Sequence, residues 1–248
     1  MRVIDIEISL VAPCLNEEGN IELLAKRFFS EADRLQVSSQ LIIVDDGSSD
    51  STWQIASTVA LGWGGRMICC QHPTNLGIPA AWRTGLLESS GSYVALIDSD
   101  LQNPPEAVFE MHKIITASDV DLVRGVRRPT QSGNPSRVLM SKALNVILNH
   151  TFKMNSRDNK SGFLLGKKDS MRKLLNPKLS YHHYQTFIGV AAHSLGLVSL
   201  EIDTPFNPRH SGKSFLSGRT LQTTRQALSD FKNAKIEFQR IEQQKDQL

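Results

Sequence analysis

The chain has 248 residues, of which 40% are hydrophobic and 21% charged, and its formal net charge is +3. That composition is of a globular chain and not of a disordered one, and so small a charge argues against a nucleic-acid partner. No stretch approaches the roughly 18 uninterrupted apolar residues of a membrane span, and Asp5 and Glu7 break the apolar N-terminus, so no secretory signal is expected.

The first half alternates strands and helices. "EISLVAP" reads as a buried strand, after which Ile21, Leu24, Ala25, Phe28, Ala32 and Leu35 recur at helical spacing. "LIIVDDGSSDST" is a second strand ending in a polar turn, where Ser48 or Ser49 is expected to cap the helix "STWQIASTVA". "RMICCQH" is a third strand. It carries Cys69 and Cys70, which with Cys14 make an odd set without metal-ligand spacing, as expected of reduced cytosolic thiols. "IPAAWRTGLLESS" is a helix and "SYVALID" a fourth strand. "NPPEAVFEMHKII" opens with helix-start signals: Asn103 as N-cap, Pro104 at the first helical position and Glu106 three residues after the cap. "DVDLVRGVR" is a fifth strand. Near-continuous apolar strands separated by helices predict a parallel sheet covered on both faces.

In such α/β sheets ligands bind beyond the carboxyl ends of the strands. Asn16 and Glu17, Asp45 and Asp46, Asp98 and Asp100, and Arg127 all fall there, so four strand ends share one rim. The second half is less regular. "PTQSGNPS" is a polar loop, "RVLMSKALNVILNHTF" a helix, and "SGFLLGK" and "LVSLEIDTPF" further strands. From about Ser217 the tail is helical, with Leu221, Leu228, Phe231, Ala234, Phe238 and Ile241 as an apolar stripe.

Asp98 and Asp100 lie two apart, and on an ideal strand their carboxylates face the same way. Such a pair suits Mg²⁺ or Mn²⁺, hard cations that take oxygen ligands and keep phosphates as co-ligands; Gln102 offers a neutral oxygen at the same alternation. Glycine-rich phosphate loops of the Walker and Rossmann kinds are absent, so any phosphate is held by metal and side chains. Asp45 and Asp46 could accept hydrogen bonds from a base or ribose, or simply form a "DDGS" turn.

"APCLNEEGNI", "LIIVDDGSSDST", "NLGIPAAWRTG", "GSYVALIDSDLQNPPE" and "LVRGVR" resemble, in order, the marks of inverting GT-A glycosyltransferases of family 2. "DSDLQNPPE" with "RVLMSKALN", "DNKSGFLLGKK" and "RHSGKSF" is most similar to the polyprenyl-phosphate branch, typified by dolichol-phosphate mannose synthase. The resemblance covers roughly residues 6 to 216, with motifs agreeing in order and spacing. It implies a GT-A fold and a nucleotide-sugar donor. Pro13, Leu15 and Glu17 match the first nucleotide-contacting stretch, although Leu15 departs from the aromatic often found there. Asp46 matches the residue under base and ribose. Asp98, Ser99, Asp100 and Gln102 match the metal–diphosphate segment, with Asp98, Asp100 and Gln102 as metal ligands. Arg127, Arg137 and Ser141 match an acceptor-phosphate cradle, with Arg128 a rival for the first role, and Arg209 matches a diphosphate contact. Residues 1–127 then form the nucleotide-sugar half and 128–216 the acceptor half of a catalytic domain, with 217–248 an appended amphipathic helix.

The acceptor is the open question. A sugar hydroxyl needs a general base; a lipid phosphate is already anionic and needs only cations to orient it. Between Lys160 and Leu200 the sole acidic residue is Asp169, while Arg127, Arg128, Arg137 and Lys142 gather cations. The expectation is transfer to a polyprenyl phosphate. The alternatives are transfer to a saccharide hydroxyl, with Asp158, His182 or His183 as candidate base, and a non-catalytic nucleotide-sugar-binding module. The tail, with Arg219, Arg225, Lys232, Lys235 and Arg240 beside its stripe, fits three roles: contact with the cytoplasmic face of a membrane, packing on the catalytic domain, or pairing with a second copy.

Overall fold

The structure, a computed structural model, describes residues 5–127, 135–159, 161–176, 184–211 and 220–245, with backbone alone at 135–141, 220–228, 242 and 244–245. Its centre is a seven-stranded sheet. The strands are β1 (Ile8–Cys14), β2 (Ser39–Asp45), β3 (Met67–Gln71), β4 (Tyr93–Leu96), β5 (Leu122–Arg127), β6 (Leu164–Lys167) and β7 (Ser199–Thr204), in the spatial order β3-β2-β1-β4-β6-β5-β7. β1 and β2 are buried along their whole length, which is why they read as unbroken apolar runs instead of alternating ones.

Helices cover both faces. On one side pack α1 (Ile21–Leu35), α2 (Thr52–Leu61) and α4 (Ala107–Ala117), through Leu24, Phe28, Phe29, Ala56, Phe109 and Met111. α1 buries Ile21, Leu24, Ala25, Phe28, Phe29 and Ala32, and stops where Gln36 turns left-handed (φ 56°) and its N–H bonds back to Asp33 O, a common way to close a helix. On the other side lie α3 (Ile78–Glu88), α5 (Pro135–Thr151), α6 (Lys168–Leu174), α7 (Tyr184–Ser194) and α8 (Thr220–Lys245). α3 sits close: a Cβ on Gly85 would come within 2.2 Å of Val11 Cγ1, so this approach requires glycine.

Four of the six strand pairings are parallel, and the two that are not both involve β6. β6 runs antiparallel between β4 and β5, with Leu164 level with Leu96 and Arg124. The residues that lead into it, Asp158, Asn159 and 161–163, therefore arrive at the rim where β4 and β5 end. β7 is parallel to β5, with Thr204 level with Arg127, so the chain leaving β7 also crosses that rim. The topology thus carries Asp158 and Arg209 to the acids of the first half.

Two helix starts differ from expectation. α2 begins at Thr52, not beside Ser48 or Ser49, because the turn is held otherwise: Ser48 N–H donates to Asp45 Oδ1, and Thr52 N–H to Asp50 Oδ1. α4 begins at Ala107, not after Asn103. Pro104 and Pro105 first form tight turns whose carbonyls accept from Ala107 and Val108 N–H, and Glu106 pairs with Arg27 at 2.7 Å. The helix α7 had no counterpart in the sequence reading.

α8 packs on its own domain. Ala234 and Phe238 are fully buried, Phe231 and Ile241 partly, and Phe238 and Phe231 meet Phe152 at 5.6 and 6.3 Å between ring centroids. The exposed side chains of this half include Lys232, Lys235 and Arg240. The side chains of Leu221, Arg225 and Leu228, and all of Arg219, lie outside the described residues. Among the described residues no helix is long and apolar enough to cross a membrane.

Candidate active site

The β1 exit begins the rim. Pro13 is buried in β1 and Leu15 half-buried beyond it. Asn16 adopts a left-handed conformation (φ 56°) and latches onto the turn after β2: its N–H donates to Ser48 Oγ at 2.9 Å, and its Oδ1 accepts from Ser49 N–H at 2.8 Å. Glu17 N–H donates to Thr52 Oγ1. The Glu17 carboxylate is thereby turned toward the site, where Asn20 Nδ2 and Arg209 Nη1 donate to it. Burial raises its pKa above the ordinary carboxylate value.

At β2 the two aspartates do different work. Asp45 Oδ1 and Oδ2 accept from Ser48 N–H and Gln71 Nε2. Asp46, only 5% exposed, accepts from Leu76 N–H at 2.9 Å and Gly77 N–H at 2.8 Å, and meets His72 Nδ1 at 2.7 Å, with Thr84 Oγ1 on the other ring nitrogen. Asp46 therefore ties residues 72–77 across the "DDGS" turn. Gly47 (φ 77°) lets that loop close, since a Cβ there would meet Thr74 C at 2.6 Å. Asp46, the residue expected beneath base and ribose, anchors residues 72–77.

β4 ends at Leu96, and Ile97 N–H still bonds to Val11 O. Asp98 and Asp100 lie just past the strand, in a turn that brings Leu101 to φ 61°. Strand alternation is therefore not what brings the acids together: the turn does. Asp98 is raised to about 6, first by burial and then by the Asp100 charge; Arg127, Arg209 and a hydrogen bond with Gln185 of α7 oppose the rise. Asp100 is also raised by burial, although Gln102 N–H donates to its Oδ1 at 3.0 Å and Arg209 Nη2 stands 2.9 Å from Oδ2. Ser99 is buried between them and bonds the Cys14 thiol. Burial pushes Cys14 well up, which keeps it a neutral packing group.

The second half closes over these acids. Arg209 bridges Glu17 (3.1 Å) and Asp100 (2.9 Å). Its segment is pinned by Asn207 N–H to Gln102 O at 2.7 Å and by Gln102 Nε2 to Asn207 O. The Gln102 amide is thus engaged with residues 205–210. Arg127 forms a two-pronged pair with Asp158, Nε to Oδ2 at 2.8 Å and Nη2 to Oδ1 at 3.0 Å, with its guanidinium 5.5 Å from the Phe206 ring centroid. Asp158 is held in turn: Arg124 Nη2 donates to its carbonyl at 2.7 Å, while Asn145 and Asn149 of α5 bond to Ser156 O. Arg124 is buried, and a glycine at 189 leaves space for its guanidinium.

The family model for glycosyl transferase family 2 matches residues 9–178, which spans this rim except for Gln185 and the Arg209 segment. The chain belongs to glycosyl transferase family 2. Among its curated relatives, an undecaprenyl-phosphate 4-deoxy-4-formamido-L-arabinose transferase of Photorhabdus laumondii subsp. laumondii is 30% identical over 208 residues, and one of Sodalis glossinidius is 27% identical over 213. In each case 84% of this chain aligns to 62% of the relative, so the chain spans less than two-thirds of their length. Among solved structures, glucosyl-3-phosphoglycerate synthase from Mycobacterium tuberculosis with phosphoglyceric acid superposes with a TM-score of 0.65 at 22% identity. That match covers 92% of this chain and 80% of the other. The same enzyme with Mn²⁺, UDP and phosphoglyceric acid gives 0.63. These likenesses show the GT-A fold.

In this family 2 fold, Glu17, Asp98, Ser99, Asp100, Gln102, Arg127, Asp158 and Arg209 are all brought to the rim. Arg137 and Ser141 lie on the backbone of α5, with side chains outside the described residues, as are Arg128, His182 and His183 altogether. Lys142 is exposed. Gln185, Asn207, Asn145 and Arg124 were missed by sequence reasoning. Only Arg124 carried a signal there, as a charge inside the otherwise apolar run "LVRGV". Among the described residues no cluster of three or more His, Cys, Asp or Glu forms a ready cation cage. Two crowded, partly desolvated acids nonetheless fit Mg²⁺ or Mn²⁺, if phosphate and water complete the shell.

Proposed function

We propose that this family 2 protein transfers a sugar from a nucleotide-sugar donor to a polyprenyl phosphate, with inversion. The observation that carries the acceptor is the two-pronged Arg127–Asp158 pair. A carboxylate with an arginine across both oxygens is a poor proton acceptor, so Asp158 orients Arg127 and does not serve as general base. A phosphate nucleophile requires no base, and Arg127, with Arg137 and Ser141 of α5 nearby in sequence, supplies cationic and hydroxyl partners for it. The relatives named for transfer to undecaprenyl phosphate agree with this.

In this reading residues 1–127 hold the donor, 128–216 the acceptor, and 217–248 form the helical tail. Asp98 and Asp100, with Gln102 beside them, would hold Mg²⁺ or Mn²⁺, which supplies charge stabilisation to a departing diphosphate. Pro13, Leu15 and Glu17 line the nucleoside end. Asp46 serves it by fixing residues 72–77. Ser99 supports the acid turn. Arg209, which lies against Asp100 and Glu17, would donate to the diphosphate, whose charge grows as the glycosidic bond breaks. The acceptor phosphate attacks the anomeric carbon from the face opposite the leaving group. The protein works at a membrane surface, on its cytoplasmic face.

The test is to incubate the protein with labelled nucleotide sugars, Mg²⁺ and a polyprenyl phosphate. Label in the lipid extract is the expected result. Label found only on an added saccharide would replace this reading with transfer to a hydroxyl, and binding without any turnover would leave a nucleotide-sugar-binding module.

A further inference from the structure

From Leu122 to Arg157 the chain carries seven Lys and Arg residues and no Asp or Glu. α5 runs through the middle of this stretch. Its inner face is committed: Leu148 and Phe152 enter the core, and Asn145 and Asn149 hold Ser156 and, through Asn159 N–H to Asn145 Oδ1, the segment that bears Asp158. Its outer face is open. Ala143, Val146, Ile147 and His150, one helical stripe, are exposed, with Val146 at 66% and Ile147 at 50%. Lys142 and Lys153 stand exposed beside them. Arg124, Arg127 and Arg157 are paired with Glu201, Asp158 and Asp203, which leaves Lys142 and Lys153 beside the stripe; an apolar stripe flanked by exposed lysines complements a surface of acyl chains beneath anionic headgroups.

We infer that the outer face of α5, centred on Val146 and Ile147, is the surface by which the protein lies on an anionic lipid bilayer. This inference rests on the lipid-phosphate reading and locates it. The amphipathic tail was the first candidate for this contact, but from Phe231 onward its stripe is covered by the chain's own core. α5 instead has the Asp158 segment on one side and open apolar side chains on the other, so bilayer and site are separated by one helix diameter, about 10–12 Å. A phosphate tethered to the bilayer reaches Arg127 without leaving the headgroup layer.

The test uses the full chain, sedimented with vesicles of phosphatidylcholine, with and without phosphatidylglycerol, at low and high salt. Three proteins are compared: wild type, the double variant Val146→Glu/Ile147→Glu, and Leu87→Glu, which puts a charge on an exposed leucine of α3. All the replaced side chains are exposed, so circular dichroism and melting should match the wild type. Wild type and Leu87→Glu are expected to bind the phosphatidylglycerol vesicles, less so in salt, and the double variant to lose about tenfold or more of its partitioning. The double variant should retain wild-type turnover of a water-soluble short-chain polyprenyl phosphate. Equal vesicle binding by wild type and double variant would overturn the inference, as would wild type ignoring anionic vesicles. A wild-type dimer split by the double variant, with vesicle binding unchanged, would reassign the face to a second copy. Wild type that binds vesicles through this face yet never glycosylates the short-chain acceptor would refute the acceptor and leave the docking face standing.

Discussion

Asp98→Asn should make the metal-free protein more stable at alkaline pH while destroying its activity. The carboxyl rises from an ordinary 3.8 to about 6, chiefly through burial and then through Asp100. Unfolding frees the group to ionise near its ordinary value, so between pH 4 and 6 the folded state holds the extra proton, and stability falls as pH rises through that window. A tenfold change in proton affinity is about 1.4 kcal/mol, so the full shift is worth about 3 kcal/mol above pH 7. Asp98 keeps partial access to solvent, which reduces the figure to about 1–2 kcal/mol. Asparagine keeps the shape and removes the charge. In EDTA at pH 8 the variant should melt about 2–8 °C above wild type, on the basis of about 2–4 °C per kcal/mol for a chain of this size. At pH 4 the gap should vanish. Adding Mn²⁺ and a nucleoside diphosphate should raise the wild type alone, because ligand binding stabilises only the form that binds. A variant that melts with or below the wild type in EDTA at pH 8 would refute the claim that the Asp98 charge is uncompensated without a cation.

Asp158→Asn breaks the two-pronged pair but should retain measurable turnover on lipid phosphate, down by about 10- to 100-fold in steady-state kinetics with the acid limb of the pH profile unmoved; a loss as complete as that of Asp100→Ala would make Asp158 a base. Asp46→Ala strands the Leu76 and Gly77 N–H groups and His72, and should lower the urea-unfolding free energy by about 2–4 kcal/mol. Gly85→Ala drives a methyl into Val11 and should cost about 1–3 kcal/mol in the same assay.

Much of this arrangement was readable from residue order. Apolar strand, helix and polar strand-end repeat through residue 127 with little ambiguity, because fully buried parallel strands have a distinctive composition. The acids of "DSDLQ" and the arginine ending β5 could be placed on one rim from that pattern alone. What escaped is long-range. Arg209 meets Glu17 across 192 positions, and Asp158 meets Arg127 only because β6 enters the sheet antiparallel. No local periodicity encodes a strand's direction. The assumption that Asp98 and Asp100 alternate on a strand failed because the chain leaves the sheet at Ile97 and turns through a left-handed Leu101. Asp46 looked available to a ligand because nothing in "DDGSSD" reveals that residues 72–77 fold back onto it. The basic tail pointed to a membrane, yet an apolar stripe does not say which apolar surface it will meet, and here the half from Phe231 meets Phe152 and Phe187.

In the proposed function a divalent cation at Asp98 and Asp100 carries the donor's diphosphate. Crystals soaked with Mn²⁺ and a nucleoside diphosphate, recorded at the manganese absorption edge, test it directly. An anomalous peak coordinated by one or both carboxylates and by the diphosphate, with Arg209 turned toward the phosphates, is the predicted result. A diphosphate bound at full occupancy with no metal between it and these two acids would contradict the account.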